Sequence, residues 1–202
     1  MLVGDGPPYT AIISDRTSQV RRRYTLAHEA GHAALGTVST ACFEPSSARR
    51  SRSEREADRF AAEAVLPEGQ VSAEISAKAL DLSTLTSAAA RYRVSLEAMG
   101  LRLVEIGAWD AVFVVWRVLP RPGSSPKLRV HWAATPPTRR IYIPKYATPP
   151  PALLEQWTTG QRGVRDVRLN LGSVRGSHVV ESLPKEDVLF SIIALKRLPA
   201  TS

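Results

Sequence analysis

Two hundred and two residues, 44% hydrophobic and 23% charged, suit one large or two small domains with a real core. The net charge of +8 points to nucleic acid or acidic partners, and the longest apolar runs, around 111–116 and 192–195, are far too short to cross a bilayer. The single cysteine, Cys42, excludes an intramolecular disulfide framework and fits a reducing, cytoplasmic compartment.

Residues 1–8 contain neither a basic nor an apolar leader segment, so no signal peptide is expected. Weak alternation over Tyr9–Ser14 predicts a short strand. Residues 21–36 then read as a helix, with Thr17 or Ser18 as its cap and Gly36 as its stop. Inside it lies His28-Glu29-Ala30-Gly31-His32, an H-E-x-x-H pattern. Residues four apart share a helix face, so His28 and His32 can aim two imidazole nitrogens at one point, as two ligands of a tetrahedral zinc must. Glu29 borders the same face, where it can take a proton from an activated water. Gly31 in mid-helix costs about 1 kcal/mol against Ala, which suggests that something packs close to the backbone there. Alone, the pattern is also compatible with an ordinary amphipathic helix.

A catalytic zinc needs a third protein ligand. The next helical stretch, ending at Pro67, has Ala57, Phe60, Ala61, Ala64 and Val65 as its apolar stripe. Glu54 and Glu56 compete for the ligand role. At about 100° per residue, Glu54 lies roughly 50° from the centre of that stripe and Glu56 more than 100° away. Glu54 therefore faces inward, and Asp58, one turn on, is placed to hold the second nitrogen of a ligand histidine. Glu56 reads as the capping-box partner of Ser53. Arg49, Arg50, Arg52, Arg55 and Arg59 form a basic strip on the back of this helix, read as a solvated face with i,i+4 pairing rather than a docking strip. Cys42 lies between the two helices; an ordinary thiol is the preferred reading over a switch on the metal.

Arg23-Tyr-Thr-Leu-Ala-His-Glu-Ala-Gly-His32 followed by Glu54-Arg-Glu-Ala-Asp-Arg-Phe-Ala-Ala-Glu-Ala-Val-Leu-Pro67 resembles the IrrE/ImmA family of zinc metallopeptidases. Two separate blocks agree in sequence, spacing and order, and Val94-Ser95 and Arg102-Leu103 fit a third segment. Tyr24 stands where the family usually has Phe. The resemblance implies a zincin-like, mainly helical α+β peptidase domain holding Zn2+ (or another divalent metal such as Mn2+) on His28, His32 and Glu54, with Glu29 as base and Asp58 behind. It also implies cytoplasmic cleavage of a helix-turn-helix transcriptional repressor in a stress or mobile-element response. The alternative is a DNA- or protein-binding regulator on an inert scaffold.

On these readings residues 1–67 form the metallopeptidase core. Residues 68–106 stay helical: Ser83 caps one helix, Ser95 caps a second, and Gly107 stops it. The pair resembles a helix-turn-helix, although a hairpin completing the core is preferred over DNA recognition. Residues 107–202 form a basic α+β domain. Strands are predicted over 109–119, 127–133, 140–143, 164–171, 178–183 and 188–197, with a hairpin loop over Pro120–Pro126 and a helix over 152–158. Some family members carry a GAF-like sensor domain at this end. Residues 1–106 hold 13 basic and 13 acidic residues, whereas residues 107–202 hold 14 and 6, so the whole charge excess sits in the C-terminal half. That half is expected to meet DNA, an acidic protein or an acidic effector. Trp109, Trp116, Trp132 and Trp157 are read as core before base-stacking residues, and His131 and His178 as ordinary histidines.

Overall fold

The computed structural model describes residues 2–3, 7–16, 18–37, 52–121 and 124–195. Thr17, Cys42, Arg49, Arg50 and the end of the last expected strand, Lys196-Arg197, lie outside them. The chain divides into two compact units, residues 1–71 with 89–95 and residues 72–88 with 96–202.

The first unit is built on two helices, α1 (Gln19–Ala34) and α2 (Arg52–Val65). Ahead of them, β1 (Leu2–Val3) pairs antiparallel with β2 (Thr10–Ala11). The strand expected over Tyr9–Ser14 is thus only two residues long, because β1 offers it two paired positions. Ala57 and Ala61 are fully buried on α2, but Phe60 is 40% exposed and Ala64 is exposed too. The expected five-residue stripe is therefore narrower in fact. Where small residues let two helices approach closely, only a thin i,i+4 strip fits between them and a bulky neighbour is left at the rim. Arg23 ties α1 to the end of a later helix, donating from Nη1 to the carbonyls of Tyr92 and Arg93 at 3.0 and 3.3 Å.

Three helices follow: α3 (Glu68–Ile75), α4 (Leu82–Tyr92) and α5 (Leu96–Glu105). The cap of α4 is Asp81 rather than Ser83, its carboxylate accepting from Thr84 N at 2.7 Å. Ser83 falls inside the first turn, and an ionised side chain one residue beyond the helix satisfies the free N–H groups better than a hydroxyl within it. Glu181 adds a second acceptor, taking the N–H of Leu82 at 2.7 Å. Gly107, at φ 70°, stops α5 as expected.

The C-terminal part is an antiparallel sheet of five strands, β3 (Ala111–Arg121), β4 (Ser124–Ala134), β5 (Gly163–Leu171), β6 (Val174–Lys185) and β7 (Val188–Ala194), in the order β4-β3-β7-β6-β5. Residues 111–116 of β3 are all fully buried, which is why they read as one unbroken apolar run: both faces of the strand are covered. One face carries Val112, Val114, Trp116, Leu189 and Ile193 and is packed by Leu153 and Trp157 of α6 (Pro151–Thr159). On the other, Phe113 stacks on Phe190 and its ring lies where a side chain on Gly100 of α5 would be. Trp116 donates to Ser191 Oγ at 3.0 Å, and Ser191 meets Ser182 at 2.9 Å, so these three polar side chains satisfy one another. Pro150 precedes α6, Pro151 is its first residue, and Gly160 closes it in the left-handed conformation.

Two expectations fail here. Residues 140–143 are not a strand: Pro136, Pro137 and Pro144 withhold backbone donors around them, and the segment crosses the sheet face as coil with Ile141 and Ile143 on the core. The hairpin loop is also tighter than Pro120–Pro126, since β3 runs to Arg121 and β4 begins at Ser124. Trp109 and Trp116 are buried and Trp132 and Trp157 partly so. Among the described residues no helix is long and apolar enough to cross a membrane.

Candidate metal centre

The site is assembled by α1 and α2. Ser18 caps α1, its hydroxyl accepting from Arg21 N at 3.3 Å, and the helix runs unbroken through the H-E-x-x-H residues to Gly36 at φ 63°. His28 and His32 stand one turn apart with ring centroids 4.8 Å apart and planes at 78°. Gly31 explains how α2 reaches them. A side-chain carbon there would sit 3.1 Å from Ala57 Cα and 3.2 Å from both Ala57 O and Phe60 Cβ, so the two helices touch backbone to backbone. That contact places Glu54 and Asp58 of α2 opposite the histidines.

His28 Nε2 lies 3.2 Å from His32 Nε2 and 3.4 Å from Glu54 Oε2, and His32 Nε2 lies 3.2 Å from Glu54 Oε1. Ligands about 2.0–2.1 Å from a tetrahedral zinc are spaced about 3.3–3.4 Å from one another, so the His28–His32 distance is close to one edge of such a tetrahedron, and each ring nitrogen has a different Glu54 oxygen at a similar distance. Their protonation also fits. Asp58 Oδ1 faces His28 Nδ1 at 3.0 Å, and a carboxylate can only accept. His28 therefore carries its proton on Nδ1 and presents a bare Nε2 lone pair. His32 Nδ1 is 3.1 Å from Thr37 Oγ1, which can hold that ring in the same tautomer. Two ring nitrogens and a carboxylate that converge this closely form a set that one cation can bridge. His28, His32 and Glu54 are thus a donor set that could hold a divalent ion, and the mix of imidazole and carboxylate suits zinc.

The surroundings are graded. His32 is 2% and Glu29 4% exposed, forming the floor, while Glu54 at 35% leaves one side open to solvent. Hydrogen bonding to Asp58 raises the pKa of His28 above its ordinary value, against the opposing effect of burial, and the charges of Asp58, Glu54 and Glu29 act in the same upward direction. The site is therefore negative as a whole, the condition under which a cation is attracted. Glu56, the competitor of Glu54, points to Arg52 instead, accepting from its Nε at 2.8 Å. Ser53 is the second residue of α2, inside the helix rather than capping it, and Arg52–Glu56 is the i,i+4 pairing expected of the basic strip.

Two contributors escaped the sequence reading. Thr37 directly follows the helix stop; its N–H returns to His32 O at 2.9 Å, which brings its hydroxyl to the ring of the same histidine. A polar residue just after a glycine stop is the signal that could have found it. Tyr24 donates from its hydroxyl to Asp58 O at 3.2 Å, a bond that Phe at this position would lack. His131 and His178 belong to the other unit and are not among the clustered residues.

No curated protein matches the chain. Residues 5–104 match the family model for the IrrE N-terminal-like domain, Peptidase_M78, a span that contains His28, Glu29, His32, Glu54 and Asp58. Residues 5–104 thus carry the IrrE N-terminal-like domain of the Peptidase_M78 family, a peptidase family matching the IrrE/ImmA resemblance.

Proposed function

We propose that the protein is a zinc-dependent endopeptidase that cleaves a helix-turn-helix transcriptional repressor in the cytoplasm, in a stress or mobile-element response. The observation that carries the enzymatic part is the convergence of His28, His32 and Glu54, one donor atom of each within 4.8 Å of the others, beside the buried Glu29. The family of residues 5–104 supports a peptidase, and the resemblance to IrrE/ImmA proteins supplies the class of substrate.

In this reading His28, His32 and Glu54 hold the ion, and Asp58 and Thr37 fix the two rings with their Nε2 lone pairs inward. Zinc, when bound, supplies Lewis acidity toward a carbonyl and acidifies water. Glu29 then takes a proton from the attacking water and delivers it to the leaving amine, so the carboxylate ends the cycle as it began. Its low exposure keeps bulk water from competing for that proton. The open side at Glu54 is where an extended peptide can enter.

Residues 68–106 and the basic residues 107–202, the latter GAF-like or partner-binding, would present or regulate the core. An inert scaffold that merely binds DNA or protein has no use for a general base, and retention of Glu29 beside an intact ligand set favours the enzyme. The test is incubation of the purified chain with a helix-turn-helix repressor from the same genome, with zinc and with chelator, read by gel and mass spectrometry. Cleavage that needs zinc and Glu29 is the expected result; an intact repressor under every metal condition would refute the substrate.

A further inference from the structure

The second unit contains an open cleft of about 390 Å³, formed by the coil at 138–141, the β5–β6 turn and the end of β7. Its walls combine two kinds of surface. Val174, Ile141 and Leu195 are apolar and belong to or pack on the sheet core, whereas Arg139, Arg140 and Arg175 bring guanidinium groups.

The arginines decide what the cleft can take. Several arginines elsewhere in this unit are compensated: Arg117 pairs with Glu97, Arg162 with Glu181 and Arg165 with Glu155. At the cleft, Arg139 is held in a two-pronged pair by Asp110. Arg140 and Arg175 have no carboxylate partner among the described residues; Arg175 donates only to the Gly172 carbonyl at 3.1 Å. Two uncompensated positive charges on one small cleft favour an anion. Part of the unassigned charge excess of residues 107–202 is thereby placed.

The walls are also fixed in advance. Ser173 N donates to Tyr142 O at 2.9 Å and Tyr142 N to Ser173 Oγ at 3.2 Å, which zips the coil to the turn. Gly172, at φ 58°, lies so close to Tyr142 O that no side chain fits there. His178 is a strut rather than a binding group, its ring nitrogens facing the carbonyls of Ala194 and Arg175 at 3.3 and 3.1 Å. A preformed cleft with an apolar floor and two guanidinium groups that lack a carboxylate partner matches a planar organic body that bears a phosphate, because a guanidinium meets phosphate oxygens in pairs.

We propose that this cleft binds a small organic phosphate of about the size of a nucleoside monophosphate. The site is independent of the metal centre and of the peptidase reading. The test is isothermal titration calorimetry of the full chain with a panel of nucleoside monophosphates, with inorganic phosphate and with the unphosphorylated nucleosides. At least one monophosphate is expected to bind, its nucleoside not measurably and inorganic phosphate more weakly. Arg140→Ala/Arg175→Ala should weaken that binding by at least about tenfold, since each arm is a charged hydrogen bond to an anion. Both side chains are exposed, so the variant should fold, and Arg140→Lys/Arg175→Lys should recover part of the loss. No binding by any monophosphate at millimolar concentration, or binding indifferent to the double variant, overturns the proposal. So does saturation by duplex DNA with none by the mononucleotides, or inorganic phosphate binding as tightly as the best of them.

Discussion

Gly31→Ala tests the link between helix packing and the metal centre. The added methyl would lie 3.1 Å from Ala57 Cα and 3.2 Å from Ala57 O and Phe60 Cβ. Comfortable carbon contacts are about 3.5–4.0 Å, so α1 and α2 must part by a few tenths of an ångström. Two of the three atoms are backbone and cannot rotate away. Alanine gains about 1 kcal/mol over glycine in a helix interior. Overpacking typically costs about 1–3 kcal/mol. The balance is a loss of about 1 kcal/mol, or a fall in Tm of about 2–4 °C for a chain of this size. Because α2 carries both Glu54 and Asp58, the same displacement opens the ligand triangle, and zinc affinity should drop about tenfold, the lower end of what lost ligand support costs. Thermal unfolding of the metal-free protein and zinc competition against a chromophoric chelator measure the two effects. A higher Tm together with wild-type zinc affinity would refute the claim that this contact sets the site.

Glu29→Gln should keep metal and fold but lose cleavage by about 10²–10⁴-fold, read in the repressor assay; unchanged cleavage would overturn the base assignment. Glu54→Gln should weaken zinc binding, whereas Glu56→Gln, which forfeits only an exposed pair with Arg52, should shift it little; metal analysis of the two variants separates the ligand from its neighbour. Thr37→Val should weaken zinc binding by about tenfold, with Thr37→Ser restoring it, because the hydroxyl rather than the shape holds His32. The raised pKa of His28 fixes a pH dependence. Its protonated form is favoured in the metal-free fold, so the Asp58–His28 pair stabilises that fold below the unfolded histidine pKa and loses this effect as pH rises through the folded one. Zinc must displace the proton, so its affinity should fall with decreasing pH starting above the ordinary histidine range, and Asp58→Asn should move the onset downward; chelator competition across pH 6–8 reads both. Gly100→Ala should cost about 1–3 kcal/mol, because the new methyl overlaps the ring of fully buried Phe113, and chemical denaturation reads it.

What the sequence determined by itself is what depends on short-range geometry. The helical period alone puts His28 and His32 on one face and turns Glu54, not Glu56, toward it. Ser18, Gly36, Gly107 and Pro151 mark helix ends because a free N–H or a left-handed residue has few local solutions. The β-branched and aromatic run over 109–119 announced a strand, and the structure shows its residues 111–116 buried on both faces. Only the tertiary structure could decide what depends on which neighbour arrives. Phe60 is apolar and periodic yet sits at the rim, because the Gly31–Ala57 contact is too close to admit a ring. Residues 140–143 are strand-like in composition but find no partner strand, since neighbouring prolines leave too few donors and the Gly172–Ser173 turn takes up Tyr142 instead. Asp81 outcompetes Ser83 as a cap by one residue of register. Thr37 reaches His32 only because the chain reverses at Gly36, and Arg140 and Arg175, 35 positions apart in the numbering, share a cleft only because a coil crosses a sheet. Periodicity specifies which way a side chain points; what it meets there is a long-range outcome of packing.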